Sequence, residues 1–246
     1  MRRLRELGIS PFDIRLPFYK YRSIESAIEI LKTNKLYFPN AIKLMDKFEL
    51  HHSYFDLNST PDLRDKYIER ICKKSSNEFS PMSDDDYYEM QLSTIEGFRN
   101  TIGIFSSATS PDNNFLWQEY GDNHKGVCLG FKFPENMVSN FFNLGLPFFV
   151  NYTDTPLQIK YIDEGNAEMT QDFAYWLCTK QKSYDKEAEI RILDENYCGP
   201  KIFPKEILHE IIFGCETTKE DQYKILRIVE DYSYPIKRRG YCNKLR

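Results

Sequence analysis

The alternation of apolar and polar residues divides the chain into short strands and helices. Alternating aromatic residues in Phe18–Ser23 predict a first strand. Ser23 is also a suitable helix N-cap, and the apolar residues after it recur at helical spacing as far as Asn34. Leu36–Phe38 predicts a second strand, which ends at a proline. The chain is therefore predicted to open with a strand, a helix and another strand.

The rest of the chain predicts several strands that do not alternate regularly with helices. Apolar periodicity predicts helices at Tyr87–Phe98, Gln171–Gln181 and Lys219–Asp231. Alternating or short buried runs predict strands at Thr101–Ser107, Val127–Phe131, Pro147–Tyr152, Glu189–Leu193 and Glu210–Phe213. This order favours a mixed α+β fold over a doubly wound parallel sheet.

The length and hydrophobic content are those of one large domain. With 246 residues, of which 41% are hydrophobic, the chain can bury a sizeable core. We expect a single domain over residues 1–246, with 1–17 as an N-terminal arm, either loosely held or an edge segment leading into the first strand, and 41–100 as a polar, helical insertion. Asp84–Asp86 precede a predicted helix, so they indicate an acidic first turn capped by Ser83 rather than a metal site.

Charge and cysteine content narrow the classes of protein to consider. The 33 basic and 37 acidic residues give a formal charge of −4, so the overall charge does not call for nucleic acid or an anionic membrane as a partner. The six cysteines form no CxxC pair and no Cys/His cluster, so we expect free thiols and no metal site. The chain has no apolar run of signal-peptide length and none near the about 20 residues of a membrane span, which makes a reducing cytoplasm the expected location.

The stretch Leu116–Phe131 concentrates residues that often form ligand sites. Trp117 and Tyr120 are three residues apart and share one face of a helical turn. His124 then begins a glycine-containing corner that leads into a strand. A ligand could sit at such a corner, although core anchors and a helix cap are the commoner roles of these residue types.

Two strands carry charged residues that need partners if they are buried. In the first strand, Lys20 and Arg22 share one face, and Arg22 could hold a phosphate or form a salt bridge to Glu189. Glu187, Glu189 and Arg191 alternate, so we expect all three on one face of a later strand. These carboxylates could stabilise a developing oxocarbenium ion, unless this is an edge strand with its charged face in water.

Common catalytic and phosphate-binding motifs are absent from the sequence. It has no Walker or GxGxxG loop, no GxSxG elbow and no HExxH. With only four histidines in the chain, most histidine-based schemes would have to use His124.

Several blocks, in order, resemble a widespread bacterial domain family without an assigned function. The blocks are FYKYRS, KLYFPN, IGIFSS with LWQEYGDNHKGVCLGF, KSYDKEAEIRIL and ILHEIIFG. They lie within Phe18–Gly214, and the pattern WxxYxxxHxGxxLGF is the specific part. Where that family has an Asn-Asp-Pro-Phe run after its second strand, this chain has Met45–Phe48.

The layout of that family is similar to the ADP-ribosyltransferase superfamily. The resemblance implies a mostly antiparallel, split sheet with a helical insertion, and NAD as substrate. It makes Glu189, with Glu187 two residues before it, resemble the glutamate that promotes departure of nicotinamide, and His124 is a further catalytic candidate. Together with the Trp117 stretch, it gives as candidate NAD-binding residues Tyr21, Arg22, Ser23, Tyr37, Phe38, Trp117 and Tyr120.

Three functions remain open at this point. The first is an NAD-dependent ADP-ribosyltransferase or NAD glycohydrolase, whose acceptor is a protein, a nucleic acid or water. The second is a nuclease that acts on RNA or DNA with His124, Lys182, Glu187 and Glu189 around a phosphodiester. The third is a non-catalytic sensor or partner-binding module. The resemblance also implies a setting among bacterial defence genes, and hence a toxin or effector with a possible defence-system partner.

Overall fold

The fold is built on a large β-sheet, seen in a computed structural model that describes residues 2–44, 49–58, 60–62, 64–66, 68–69, 82–137, 145–159, 167–236 and 238–241. The strands are β1 (Phe18–Arg22), β2 (Lys35–Phe38), β3 (Gly103–Ala108), β4 (Val127–Phe131), β5 (Leu146–Phe149), β6 (Asn151–Tyr152), β7 (Thr179–Lys180), β8 (Glu189–Asp194), β9 (Gly199–Ile202), β10 (Leu208–Phe213) and β11 (Arg238–Tyr241).

Within the described residues, seven of these strands form the main sheet in the order β11-β10-β4-β1-β3-β8-β5. Its neighbouring strands run antiparallel, apart from the parallel pair of β10 and β11. Two small sheets stand beside it, an antiparallel pair of β2 and β9 and a parallel pair of β6 and β7. The prediction of a mixed, mostly antiparallel α+β fold is confirmed.

Ser23 and Ser83 are side-chain caps as the sequence predicted, and each begins one of the helices that cover the sheet. These helices are α1 (Arg2–Glu6), α2 (Ile24–Thr33), α3 (Asp84–Thr101), α4 (Asn114–Glu119), α5 (Ala167–Leu177) and α6 (Lys219–Asp231). Ser83 and Asp86 form a capping box at the start of α3, in which each side chain accepts a hydrogen bond from the other's backbone N–H. The prediction that the aspartates form an acidic first turn is confirmed.

Apolar side chains bury both faces of the main sheet. One cluster joins Phe18, Leu129 and Ile190 of the sheet to Leu31 of α2 and Ile225 of α6. A second cluster joins the other face to α1 and α5, with Ile104, Leu193 and Trp176 among its members. The central strands therefore lie between two packed layers.

The N-terminal segment differs from the loosely held arm, which was one of the two expected alternatives. Leu4, Leu7, Ile9, Phe12 and Ile14 are all buried. The amide N–H of residue 12 also donates to the Pro147 carbonyl oxygen, at 3.0 Å. Residues 2–17 are charged overall, but their apolar side chains attach the segment firmly to the body.

Two predicted elements change where the chain passes from one sheet to another. The predicted strand Pro147–Tyr152 is divided into β5 and β6, because the Val150 amide donates to the Glu189 carbonyl oxygen and the chain then pairs with β7. The predicted helix Gln171–Gln181 ends earlier, at Leu177, since Thr179–Lys180 is the strand β7. These two changes place Lys180 beside the start of β8.

The predicted insertion at 41–100 is described only in part. It contains 3-10 turns at Ala41–Lys43 and His52–Tyr54, followed by α3. Residues 45–48, where the sequence departs from the family pattern, lie outside the described residues, as do 70–81.

Candidate active site

A cleft of about 600 Å³ opens where β1 and β3 separate. Both strands are fully described, and they pair only at Tyr19 and Ala108. Beyond that point the Lys20 ammonium donates to the Ser106 carbonyl oxygen across the gap. The split in the sheet that the resemblance implied is therefore the position of the cleft. The predicted residues that line it are Tyr21, Arg22, Tyr37, Tyr120, Glu187 and Glu189.

The start of β8 brings two of the predicted carboxylates to the cleft. Glu189 is the first residue of β8 and pairs with Ala108 of β3. The prediction that Glu187 belongs to the same strand is wrong, because Glu187 ends a 3-10 turn and Ala188 adopts a left-handed backbone with φ of 44°. Glu187 and Glu189 nevertheless both line the cleft, since the turn at Ala188 keeps the two side chains together.

The possibility that β8 is an edge strand is also wrong. β8 pairs with β3 on one side and with β5 on the other, so it is an interior strand. Glu189 is 5% exposed and Arg191 is 1% exposed. Charged side chains this deeply buried are stable only when they are paired and hydrogen-bonded, so the partners of these residues decide the chemistry of the cleft.

Lys180 and Arg191 supply the positive charges that hold the two carboxylates. The Lys180 ammonium lies 2.7 Å from Glu187 Oε2 and 3.5 Å from Glu189 Oε2. Arg191 Nε donates to Glu189 Oε1 at 3.0 Å. Glu189 is therefore held on both carboxylate oxygens, whereas Glu187 is held by the ammonium on one.

A third carboxylate, from the segment after β2, completes the cluster. Glu49 forms an ion pair with Arg191 and lies with Oε2 3.7 Å from the Lys180 ammonium. The carboxylates of Glu49, Glu187 and Glu189 are thus paired with Lys180 and Arg191, and the Lys20 side chain lies near enough to act on both cleft glutamates. Among these groups, the carboxylate of Glu189 lines the cleft. A ligand that carries or develops positive charge would be stabilised beside it.

For both Glu189 and Lys180, burial disfavours the charged form of the side chain, whereas the neighbouring opposite charges favour it. Burial raises the pKa of Glu189, and the Lys180 ammonium opposes that shift. For Lys180, burial by itself lowers the pKa, but the carboxylates of Glu189 and Glu187 outweigh it, so that its pKa lies above the ordinary value. The lysine therefore stays charged at neutral pH and favours the ionised form of Glu189.

Arg22 and Tyr120 form a more open part of the cleft. Within the described residues Arg22 forms no ion pair, and its guanidinium donates to the Tyr21 carbonyl oxygen at 3.2 Å. The expected alternative of a salt bridge between Arg22 and Glu189 is wrong, because Lys180 and Arg191 hold that glutamate instead. The Tyr120 hydroxyl donates weakly to Glu187 Oε1, at 3.4 Å.

Of the two aromatics predicted on β2, only one faces the cleft. Tyr37 is 50% exposed, and its hydroxyl accepts a hydrogen bond from the Lys43 ammonium at 3.1 Å. Phe38 points the other way, is fully buried and packs on Phe105 with 5.3 Å between ring centroids. The alternation of a strand explains the difference, because adjacent side chains point to opposite faces.

Of the predicted pair Tyr21 and Ser23, only Tyr21 lines the cleft. The Tyr21 ring lines the cleft, but its hydroxyl donates to the Ser110 carbonyl oxygen at 2.7 Å and so is already engaged. Ser23 is outside the lining, and its side chain caps α2 by accepting from the Ser26 amide at 3.3 Å. The prediction that Ser23 is a helix N-cap is confirmed, and this role explains why its side chain lies outside the cleft lining.

Trp117 and His124 are placed outside the cleft lining, behind Tyr21. Trp117 is 1% exposed and packs edge-on against Tyr21, with 5.0 Å between ring centroids. The His124 ring stacks on Trp117 at 6.0 Å, and its carbonyl oxygen accepts from the Glu216 amide at 2.9 Å. The structure therefore does not bring His124 together with Glu187 and Glu189, and it leaves Lys182, of the predicted nuclease group, exposed outside the lining.

Three expected features concern metals, thiols and membranes. The described residues contain no group of three or more histidine, cysteine or acidic side chains arranged to hold a metal ion. Free thiols are confirmed for the described cysteines, and Cys72 and Cys242 lie outside that part of the chain. Among the helices that the structure describes, none is both long and apolar enough to cross a bilayer.

A known protein family matches a central segment of the chain. Residues 116–192 match the model of a family described as "Protein of unknown function (DUF2971)". The resemblance to an uncharacterised domain family is confirmed. The matched region runs from the Trp117 turn to β8, so it contains both the specific sequence pattern and the two cleft glutamates. A search of the curated proteins found no match.

Among solved structures, the fold is similar to that of DarT from Thermus sp. 2.9. The structure of that protein in complex with carba-NAD+ covers 95% of this chain and 98% of its own, with 12% identity and a TM-score of 0.40. The complex with ADP-ribosylated ssDNA covers 96% and 97%, with 13% identity and a TM-score of 0.41. The complex with NAD+ covers 95% and 98%, with 12% identity and a TM-score of 0.42.

Three charged residues of the cleft were not predicted from the sequence. Lys180 binds the two cleft glutamates, Glu49 pairs with Arg191 and Lys180, and Lys20 bridges the split between β1 and β3. For Lys20 the sequence does carry a signal, because a lysine on a predicted strand needs a partner if it is buried. Glu49 and Lys180 carry no such signal, because each is an isolated charged residue whose partners are distant in sequence or on another element.

Proposed function

We propose that this protein is an NAD-dependent ADP-ribosyltransferase or NAD glycohydrolase. It cleaves the bond between nicotinamide and ribose and transfers ADP-ribose to an acceptor or to water. The observation that carries this proposal is the buried carboxylate of Glu189, which Arg191 and Lys180 fix in place where it lines the cleft at the split of the sheet.

A fixed carboxylate in the cleft suits the chemistry of this reaction. As the glycosidic bond breaks, its electron pair leaves with nicotinamide and the ribose ring gains the positive charge of an oxocarbenium ion. A fixed carboxylate next to that ring stabilises the charge as it develops, and it does so most effectively in a buried site with little solvent to reorganise. Glu189, held on both oxygens by Arg191 and Lys180, is the carboxylate fixed in this way.

Two other cleft residues are suited to binding the rest of NAD. The Arg22 guanidinium, without an acidic partner among the described residues, is available for the diphosphate, for which its planar donors are well matched. The exposed face of Tyr37 offers a stacking surface for the nicotinamide ring. Glu187 has one oxygen on Lys180 and a weak contact on the other, so it can accept the proton that the acceptor loses.

The test is nicotinamide release from NAD by the wild type and by Glu189→Gln. We expect the substitution to lower the rate of nicotinamide release by about a thousandfold, because it removes the charge that stabilises the transition state. Glu195→Gln is the matched control, since Glu195 is exposed and lies just beyond the same strand. The proposal fails if the wild type releases no nicotinamide with any acceptor, or if both variants retain the wild-type rate.

The acceptor is found by supplying candidates to the wild type with labelled NAD. Water alone, single-stranded DNA, RNA and a mixture of proteins are the four arms, and Glu189→Gln is the background for each. Label in one macromolecule identifies a transferase, whereas free ADP-ribose in all four arms identifies a glycohydrolase.

We also propose a biological role as a bacterial toxin or effector in phage defence, acting in the cytoplasm, where it is regulated by a partner protein of the defence system. The support is the sequence resemblance to a family found among defence genes. Expression of the wild type is then expected to stop growth and lower cellular NAD, whereas Glu189→Gln is tolerated. Equal growth of the two strains during phage infection would contradict this role.

A further inference from the structure

Lys180 occupies the centre of the buried cluster but has no direct part in the reaction proposed above. Its ammonium meets three carboxylates, at 2.7 Å from Glu187, 3.5 Å from Glu189 and 3.7 Å from Glu49. It also lies 4.7 Å from the centre of the Tyr184 ring. The ammonium group can donate three hydrogen bonds, so one side chain can link all three acids.

The chain around Lys180 is organised to fix its position. β7 pairs with β6, and the Thr153 amide donates to the Lys180 carbonyl oxygen at 3.0 Å. From the same short sheet, the Tyr152 hydroxyl accepts a hydrogen bond from the Glu189 backbone amide at 2.8 Å. The small sheet therefore fixes the lysine and the first residue of β8 relative to each other, rather than leaving the ammonium on a free side chain.

We propose that Lys180 is a positioning residue, whose ammonium holds the side chains of Glu187 and Glu189 side by side in the cleft. Two like charges on adjacent buried residues repel each other, and each would otherwise take up a proton or turn away. Arg191 cannot replace the lysine, because its guanidinium is shared between Glu189, Glu49 and the Leu177 carbonyl oxygen. The consequence for catalysis rests on the proposed function, but the electrostatic role does not.

Other ionisable groups also face the two glutamates and must be unchanged in any test. Three of them are charged: Lys20 on β1, Arg191 on β8 and Glu49 after β2. The others are Tyr120 after α4, Tyr152 on β6, Cys178 after α5 and Tyr184 in the 3-10 turn before β8. A substitution at Lys180 alone leaves all of them in place.

The first experiment measures thermal unfolding of Lys180→Met between about pH 5 and about pH 8, a range that spans the protonation of a buried carboxylate. Without the ammonium, the pKa of Glu189 in the folded state rises further above its value in the unfolded chain. The folded protein then binds more protons than the unfolded one, so its stability falls as pH rises. The gap in unfolding temperature to the wild type is therefore expected to widen towards about pH 8.

Lys182→Met is the matched control, because Lys182 is an exposed lysine two residues away. It is expected to leave the unfolding temperature unchanged at every pH. A gap for Lys180→Met that stays constant with pH would show that the lysine serves only in packing, and would overturn the proposal.

A double variant covers the case in which Lys180→Met does not fold. Lys180→Met with Glu187→Gln removes one ammonium and one carboxylate together, so it is expected to be more stable at about pH 8 than Lys180→Met alone. A double variant no more stable than the single one would overturn the proposal. This result is independent of NAD.

The second experiment measures nicotinamide release. Displacement of Glu189 is expected to lower kcat by about a hundredfold in Lys180→Met, with little change in KM for NAD, and to move the acidic limb of the pH profile to higher pH. An unchanged limb contradicts the positioning role. A wild type without nicotinamide release fails the proposed function, and the unfolding measurements then decide the role of Lys180 alone.

Discussion

Two segments of this protein attract attention in the sequence, and the structure uses them in opposite ways. Leu116–Phe131 contains Trp117, Tyr120 and His124, but most of its special side chains are engaged with the backbone or with each other. The segment 187–191 has a plainer sequence, yet it brings two buried carboxylates and a guanidinium to the cleft. In this chain the rare residues of Leu116–Phe131 mostly support the fold, whereas the buried charged residues of 187–191 line the cleft.

The difference has a physical cause. Trp117 satisfies its one polar atom by donating to the Pro111 carbonyl oxygen at 2.9 Å, so its burial costs little. The cluster of Glu189 with its partners keeps several charged side chains in a buried position, which is unfavourable for stability alone. Such an arrangement is typical of functional sites, where stability is lost in favour of chemistry.

The largest expected effect on stability comes from Trp117→Ala. Removing a fully buried tryptophan that packs on Tyr21 is expected to lower the free energy of unfolding by about 3–5 kcal/mol. Urea denaturation measures this loss. Nicotinamide release per folded molecule is expected to remain within about threefold of the wild type, since the indole does not line the cleft. If the variant folds but is inactive, the indole of Trp117 belongs to the site, and the contrast drawn between the two segments is wrong.

A smaller and more specific effect is expected for Arg22→Met. The change removes the guanidinium proposed to bind the diphosphate, so KM for NAD is expected to rise by about tenfold to a hundredfold with little change in kcat. Steady-state kinetics of nicotinamide release measure both constants. Lys125→Met is the control, because Lys125 is an exposed cation outside the cleft. An unchanged KM would contradict the assignment of Arg22.

The smallest effect is expected for Tyr120→Phe. The lost hydroxyl makes only a 3.4 Å contact with Glu187, and Tyr120 is 43% exposed, so nicotinamide release is expected to change by less than about threefold. The same kinetics measure it. A loss of a hundredfold or more would mean that Tyr120 takes part in the reaction itself, and that the segment Leu116–Phe131 contributes a catalytic group after all.

Local patterns in the sequence predicted the elements on which the cleft is built. The strand–helix–strand opening, the cap at Ser83 and the strand that begins at Glu189 all follow from periodicity and capping chemistry, which depend on neighbouring residues. Glu187 was placed on the strand because nothing in the letters marks the left-handed backbone at Ala188.

The long-range contacts of the site could not be predicted in the same way. Glu49 meets Arg191 only because the segment after β2 folds back onto β8, and no pattern links the two positions. Lys180 was hidden inside an apolar helical pattern that the small sheet of β6 and β7 interrupts. These contacts are set by packing of the whole chain, which a single sequence does not reveal.

The contrast between the two segments is tested most directly by comparing nicotinamide release from NAD in Glu189→Gln and His124→Asn. Asparagine tolerates the left-handed backbone at position 124, so the second variant removes the imidazole without strain. The account predicts a loss of about a thousandfold for Glu189→Gln and less than about threefold for His124→Asn. A large loss for His124→Asn with an active Glu189→Gln would contradict it and move the reacting centre to the Trp117 turn.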